Sequence, residues 1–471
     1  MKDVAIVGYG PVGALLANLL GQAGLTVAVY DRETAIHPLP RAVHFDGEVM
    51  RIFQSAGLAE RVAEAARPSS QGMHFVNAEG RTLMVRRGVD GRGPQGWPHN
   101  WYFHQPVLEQ ILRAGVTRFP TVTVHLGREI ASVGELDARY VVGCDGARSL
   151  VRQAIGSRHR DLGLHQPWLV VDLLCKADSP RVKALPEYTV QLCDPARPMT
   201  VVNVGGARRR WEIMLMPGDD PDRLTEPDIF WPMMTRWLGP EDAALERAAV
   251  YTFHSVVQEG WRRGNLLLAG DACHQTPPFL GQGMCAGMRD AANLAWKLAA
   301  VLRDGASDAL LDTYESERRP HVETFIELAV KLGAVLQETD PARAAVRDAR
   351  FADRAEMFDF PQPQLGPGCR VEAPPPVGTI FPQPLLYDGR LMDDAIGPRV
   401  AALGEASILD GLAGDVVRLP GVGLDWLARH GARAALLRPD RYIFALAQDR
   451  IALQAATDRA LVSSHGSMHM R

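Results

Sequence analysis

The chain has 471 residues, a net charge of −4, 46% hydrophobic and 23% charged residues, the composition of an ordinary globular protein that is too long for one core and should form two or three domains. Its basic residues are dispersed, and the one short cluster, Arg208–Arg210, reads as a solvated strand end or turn, which argues against nucleic acid as a partner. No apolar run approaches the roughly 20 residues that cross a bilayer, and Met-Lys-Asp leads directly into an apolar strand, so neither a membrane anchor nor a signal peptide is expected.

The first element is "KDVAIVGYGPVGALLANLLGQAGLTVAVYDRE". It divides into a short buried strand at Val4–Val7, the turn Gly8-Tyr9-Gly10-Pro11-Val12-Gly13, a helix to Gln22, and a second strand closing on Asp31. Gly8 allows the tight turn, Gly10 lets backbone approach a pyrophosphate, and Gly13 lets helix and strand pack closely. The helix N-terminus offers free N–H groups to phosphate oxygens. Asp31 lies about 20 residues on, where a carboxylate binds ribose hydroxyls. GxGxxG alone is a weak signal, since a structural glycine turn has the same look. With strand, turn, helix, strand and acid in order it predicts an ADP-containing dinucleotide, either FAD or NAD.

Further along, "GVDGRGPQGWP" contains Trp97 and is followed by Trp101 and Tyr102; the three are read as core or surface packing or as an aromatic pocket wall. At Tyr140–Arg152, "YVVGCDGARSLVR" is a strand, a turn at Asp145-Gly146, and a new helix carrying Arg148, Ser149 and Arg152. DG is an ordinary turn signal; a carboxylate beside two arginines suggests a polar site next to a phosphate-bearing ligand. Between Asp161 and Tyr251, "PWLVVDLLCKA", "EYTVQLCD", "MTVVNVGG" and "RRWEIMLMP" predict an antiparallel sheet.

At Gly270–Met284 the chain reads "GDACHQTPPFLGQGM". The strand before it delivers Asp271 at its C-terminal end, the edge where open α/β sheets bind ligands. Pro277-Pro278 stiffens the loop. Gly281 and Gly283 allow close backbone approach, and a helix from about Met284 aims its positive end at the same place. Together they read as a backbone cradle for a planar, electron-accepting ring. A long helix, a Pro-rich stretch at Phe360–Pro384 and a last α/β segment follow; the tail "SSHGSMHMR" is expected to be disordered. The six cysteines, Cys144, Cys175, Cys193, Cys273, Cys285 and Cys369, form no CxxC pair and no zinc-spaced group, so reduced thiols, a cytoplasmic location and no metal site are expected.

In order, GxGxxG, "CDGARSxxR" and "GDAxHxxPPFxGQGM" resemble the three fingerprints of group A flavin-dependent aromatic monooxygenases, the relatives of para-hydroxybenzoate hydroxylase and phenol hydroxylase. They bracket about two thirds of the chain. "GYGPVG", "PRAVHFDGEVMRIF" and "GQGMCAGMRDAANLAWKL" look most like the branch acting on 3-(3-hydroxyphenyl)propionate. The resemblance implies an α/β fold: a Rossmann-like FAD-binding domain (1–71, 102–160, 256–350) with an inserted antiparallel-sheet substrate domain (72–101, 161–255). A Pro-rich linker (351–384) and a C-terminal thioredoxin-like α/β segment (385–471) would follow. That last segment has no CxxC, so a redox role is excluded, and stabilising the chain or forming a homodimer is expected of it. The segment 122–139 is shorter than the strand pair usual in the family.

Residue by residue, the resemblance implies that Gly8, Gly10, Pro11, Val12, Gly13, Asp31 and Arg32 hold the ADP half of FAD. Arg41 would face the pyrophosphate or flavin edge, and Gln105 the ribose or ribitol. Asp145 and Gly146 would lie near the pyrophosphate, and Gly270 and Asp271 at the ribitol. Pro278, Gly281, Gln282, Gly283 and Met284 would border the isoalloxazine, with backbone N–H groups stabilising the anionic reduced ring. NADPH or NADH would reduce FAD, O₂ would be captured as a C4a-hydroperoxide, and a phenol would be hydroxylated beside its hydroxyl. A base should help ionise the phenol, whose pKa is about 10. His44, three residues past Arg41, is the candidate; the other reading has it bonding backbone in a turn. His274 is expected to support the Asp271 loop. His165, Tyr188, Gln191 and His254 are expected to be structural, and Cys273 and Cys285 to be packing residues. The substrate expected is a small phenol, such as a 3-(3-hydroxyphenyl)propionate-like acid. Tailoring of a larger polycyclic aromatic and a non-catalytic flavin-bound binder or regulator are the alternatives.

Overall fold

Strand Lys2–Val7 is buried along its apolar run, as a strand flanked by parallel neighbours should be. The computed structural model describes residues 1–464, and this strand stands at the centre of a six-stranded sheet. The order is Arg262–Arg263, Leu266–Leu268, Ala138–Gly143, Lys2–Val7, Val27–Asp31, Val122–Leu126. All pairs are parallel except the first. In register, Val7 stands beside Tyr30 and Gly143, and Gly143 beside Leu268. The three fingerprints therefore leave one sheet at one level and on one edge. The short segment after Val122–Leu126 is a single 3-10 turn, Val133–Glu135, before Ala138–Gly143 begins.

The second sheet has nine strands: His274–Gln275, Ala243–Glu259, Arg158–Cys175, Arg208–Met214, Met199–Gly205, Thr189–Cys193, Met73–Asn77, Thr82–Arg86 and Glu356–Phe358. It is antiparallel except at Thr189–Cys193 with Met73–Asn77 and at Thr82–Arg86 with Glu356–Phe358. The period of two sorts its side chains. Leu169, Val171, Leu173, Trp211 and Ile213 form one face and pack under Phe230 and Met234 of helix Pro227–Met234. The other face turns toward the fingerprint loops. There Trp168 packs on Phe279, with ring centroids 5.6 Å apart.

This sheet overturns the reading of Arg208–Arg210 as a solvated end. The three residues open a strand, and Arg209 and Arg210 are buried. Arg210 is neutralised by Asp172 at 2.7 Å, a partner that local sequence cannot display. A small third sheet pairs Asn100–Tyr102 with His44–Asp46 and Arg67–Ser69. In it Trp101 stacks on Phe45 in the core, and the Tyr102 hydroxyl bonds Thr189 at 2.5 Å.

The last sheet runs Val417–Pro420, Ala401–Gly404, Ala434–Leu437, Ile443–Ala447. A parallel βαβ unit followed by an antiparallel hairpin and helix Arg450–Ser464 is the thioredoxin-like arrangement. Ser463 and Ser464 close that helix, and the expected disorder of the remaining tail lies outside the described residues. Buried ion pairs tie this unit to the first: Arg51–Asp393 at 2.6 Å and Arg438–Glu317 at 2.9 Å. Among the described residues no helix is long and apolar enough to cross a membrane.

Candidate active site

The glycine turn answers to close packing at two positions and to open space at the third. Gly8 has φ +99°, and a Cβ there would run into the Cys144 carbonyl. A Cβ on Gly13 would meet the Gly8 carbonyl. Gly10 has φ −70° and no atom within 4 Å of a Cβ position, so neither strain nor crowding by protein requires glycine there. The space in front of helix Pro11–Gln22 is open there, with Pro11 and Val12 in the helix's first turn, where free N–H groups suit an anionic ligand. Asp31 fixes the turn by accepting the Tyr9 N–H at 2.7 Å, and it also accepts the Glu33 N–H at 2.9 Å. Neighbouring Arg32 is exposed and paired with Glu33.

The second fingerprint packs against the first. Cys144 N–H donates to the Val7 carbonyl at 2.7 Å, and Gly146 has φ +75°. Asp145 Oδ2 accepts from Leu150 N–H at 2.7 Å, while Oδ1 is buried with no partner. Burial raises the Asp145 pKa against its hydrogen bonds. A carboxylate oxygen left orphaned at this edge fits a hydroxyl-bearing ligand. Arg152 Nη1 reaches the Ala272 carbonyl at 3.3 Å and so joins the second fingerprint to the third.

In the third, Gly270 has φ +67°, and a Cβ would stand 3.0 Å from Val12. Its N–H donates to Asp290 at 3.2 Å. Asp290 also accepts from His274 Nε2 at 2.6 Å and Arg318 Nε at 3.0 Å. His274 thus supports the loop. The donor atoms of Cys273, His274 and Asp290 lie within 4.8 Å of one another, but Asp290 is already engaged and Arg318 supplies the positive charge. Asp271 is open by surface area, yet burial raises its carboxyl pKa; both hold for a carboxylate on the wall of a cleft. Pro278 opens a 3-10 turn that ends at Gly281, φ +66°. Gln282 then precedes helix Gly283–Leu302, and its Nε2 is buried and unpartnered. Gly283 and Met284 are half-buried in the first turn, where N–H groups lack intrahelical acceptors. Burial pushes the Cys273 and Cys285 thiols up, so neither is a nucleophile.

Arg41 is exposed, and its loop is held from both sides. Gln105 Oε1 accepts the N–H groups of Arg41 and Ala42, each at 2.8 Å, and its Nε2 donates to Glu109 at 2.8 Å. Arg210 donates to the carbonyls of Pro40 and Arg41 at 2.6 and 2.8 Å. Gln105 is thus engaged with protein through both ends of its amide. His44 is buried, with Nε2 3.0 Å from Asn100 Oδ1 and Nδ1 3.4 Å from the Gly281 carbonyl. Burial, aided by Arg86, pushes its pKa down to about 4, so the ring is neutral at pH 7. The backbone contact of the second reading is present.

Sequence reading missed Asp290, Arg318, Arg210, Asp172 and Glu212. The one usable signal was alternation in "RRRWEIM", which puts Arg210 and Glu212 on one face. A cleft of about 620 Å³ lies elsewhere, between helix Gly283–Leu302 and the C-terminal unit, and shares no fingerprint glycine.

Residues 1–329 match a protein family described as FAD binding domain. The chain is 38% identical over 495 residues to a probable NADH-specific resorcinol 4-hydroxylase of Rhodococcus jostii (strain RHA1), covering 95% of this chain and 92% of the relative. It is 38% identical over 450 residues to a 3-(3-hydroxy-phenyl)propionate/3-hydroxycinnamic acid hydroxylase of Mycobacterium avium (strain 104), covering 85% and 76%. Its fold matches aklavinone-11 hydroxylase, solved with FAD and aklavinone, at a TM-score of 0.79 and 22% identity over 98% of this chain and 99% of that one. The open space before Gly10, the orphaned Asp145 oxygen and the helix ends converging on one sheet edge suit FAD, and the chain belongs to the FAD-binding family of flavin-dependent aromatic hydroxylases.

Proposed function

We propose that this protein uses NADH and O₂ to add one hydroxyl group to a small phenol, beside the hydroxyl already present. Resorcinol is the first candidate and a 3-hydroxyphenyl carboxylic acid the second, after the names of the two relatives above. The observation that carries the reading is the emergence of three fingerprints from one sheet edge, with a second sheet facing them.

When bound, FAD supplies the oxygen activation and transfer. The chain binds, orients and shields. The N-terminus of helix Pro11–Gln22 and the room before Gly10 receive the pyrophosphate. Asp31, fixed by Tyr9, is placed for ribose hydroxyls, Asp145 Oδ1 for a ligand hydroxyl, and Asp271 for the ribitol. The first-turn N–H groups at Gly283–Cys285 stabilise negative charge on the ring. The nine-stranded sheet excludes water from the reacting centre, which limits unproductive peroxide release. Gln105 and Arg210 position the Arg41 loop, and His44 positions the Gly281 turn as a neutral ring.

The test is aerobic NADH oxidation by the FAD-loaded protein, with resorcinol and with 3-(3-hydroxyphenyl)propionate. Stimulated oxidation and a product one oxygen heavier are expected. No stimulation and no oxygenated product with either would end this reading.

A further inference from the structure

Glu212 sits in the middle of the nine-stranded sheet, opposite Val170 on one neighbouring strand and Thr200 on the other. It shares a face with Arg210 and Met214. On that face Arg210 reaches the Pro40 and Arg41 carbonyls, and Trp168, opposite Met214, packs on Phe279. Glu212 therefore stands between the two points where the sheet touches the Arg41 loop and the Pro278–Gly281 turn.

Its surroundings leave it without a partner. Glu212 is 7% exposed, and neither carboxylate oxygen makes a hydrogen bond among the described residues. The nearest cation, Arg210 Nη1, is 3.8 Å away and already donates to the Arg41 carbonyl. Asp172 takes the neighbouring positive charge, with Arg210 at 2.7 Å and Arg247 at 2.6 Å. Thr200 donates to Gln191 at 2.6 Å and leaves Glu212 no proton. Glu212 nevertheless keeps a small accessible surface. A largely buried carboxylate whose acceptors no protein group uses, on the sheet face turned toward the fingerprint loops, is suited to take a donor from a ligand.

We propose that Glu212 accepts the proton of the substrate's phenolic hydroxyl, an assignment that rests on the hydroxylase reading above. The O–H bond breaks, the proton joins a Glu212 carboxylate oxygen, and the electron pair stays on the phenolate. Charge then spreads to the ortho carbon that receives oxygen; once that carbon gives up its hydrogen as a proton and the ring is aromatic again, the proton held by Glu212 returns to the original oxygen and the hydroxylated product leaves. Three charged groups act on Glu212: Arg210 on its own strand, and Asp172 and Arg247 on the two strands beyond. Burial outweighs the arginines and raises the Glu212 pKa, which makes the carboxylate a stronger base than one in water.

The test compares FAD-loaded wild type, Glu212→Gln and Glu212→Asp on resorcinol, following oxygenated product between about pH 6 and 9, the range that separates a bound base from solution ionisation of a phenol. E212Q should keep its flavin. Near pH 7 it should form product at least a hundredfold more slowly, recovering as pH rises toward the phenol's own pKa. E212D should keep a tenth or more of the wild-type rate. A wild-type rate and pH profile in E212Q overturns the assignment, as does an equal loss at every pH. If E212Q does not hold FAD, Glu212→Ala takes its place in the same comparison, and a wild-type rate and pH profile in that variant, or an equal loss at every pH, overturns the assignment. A wild type that oxygenates neither phenol removes the hydroxylase reading itself, a result distinct from failure in the variants alone.

Discussion

Replacing Asp290 with asparagine isolates the brace behind the Asp271 loop. Asp290 is fully buried and accepts from Gly270 N–H, His274 Nε2 and Arg318 Nε at 3.2, 2.6 and 3.0 Å. Asparagine has one oxygen. Turned to Arg318, it sets its NH₂ against the Gly270 and His274 donors; turned the other way, it sets NH₂ against the guanidinium. A tautomer change in His274 would move its proton to Nδ1, which is buried and has no partner. Arg318 is left as a buried cation without its anion, which costs about 3–5 kcal/mol, a large share of a total stability of about 5–15 kcal/mol. Burial raises the Asp290 pKa, but His274 and Arg318 outweigh it and hold the group below its usual value. This stabilisation is therefore complete above the unfolded carboxyl pKa of about 3.9 and is lost as pH falls through the folded one. Urea unfolding of the apoprotein at pH 7 should show the deficit, and FAD titration should show weaker binding through the displaced Gly270-Asp271 loop. A deficit under about 1 kcal/mol together with unchanged FAD affinity would refute the brace.

Gly10→Ala and Gly13→Ala should separate ligand space from packing. The first should leave apoprotein stability within about 1 kcal/mol and weaken FAD binding, whereas the second should destabilise the apoprotein by about 1–3 kcal/mol through overlap with Gly8; thermal unfolding and flavin titration read both. Asp271→Ala should weaken FAD binding about tenfold by removing a ribitol contact, and full flavin occupancy at dilution would contradict that contact. His44 has its pKa lowered from 6.5 to about 4, so its unfolded form takes up the proton first. Stability from the neutral ring is complete above pH 6.5 and falls as pH drops toward 4, by on the order of 3 kcal/mol in all. Urea midpoints of wild type and His44→Gln across that range should converge at the acid end.

Much of the first sheet was legible because its signals are local. The apolar run before Gly8, the glycine spacing and Asp31 lie within a single strand–turn–helix–strand unit, and the same local logic marks Asp145-Gly146 and Gly270-Asp271. Alternation also exposed the strands of the second sheet. Gln105 shows the limit: its partners at Arg41 and Ala42 are 64 and 63 residues away, and no periodicity encodes that meeting. Arg208–Arg210 shows it again, since three arginines look solvated until Asp172, 38 residues earlier, is set opposite Arg210.

By itself the sequence determined the turns, the strand–helix alternation and the points where a flavin-binding chain leaves its sheet, because backbone geometry and hydrophobic period are written residue by residue. Tertiary structure alone decided which charges are neutralised and which stand unanswered. Strand register places Asp172 against Arg210 and leaves Glu212 without a hydrogen-bond partner among the described residues, and register is set by how whole sheets bury their faces.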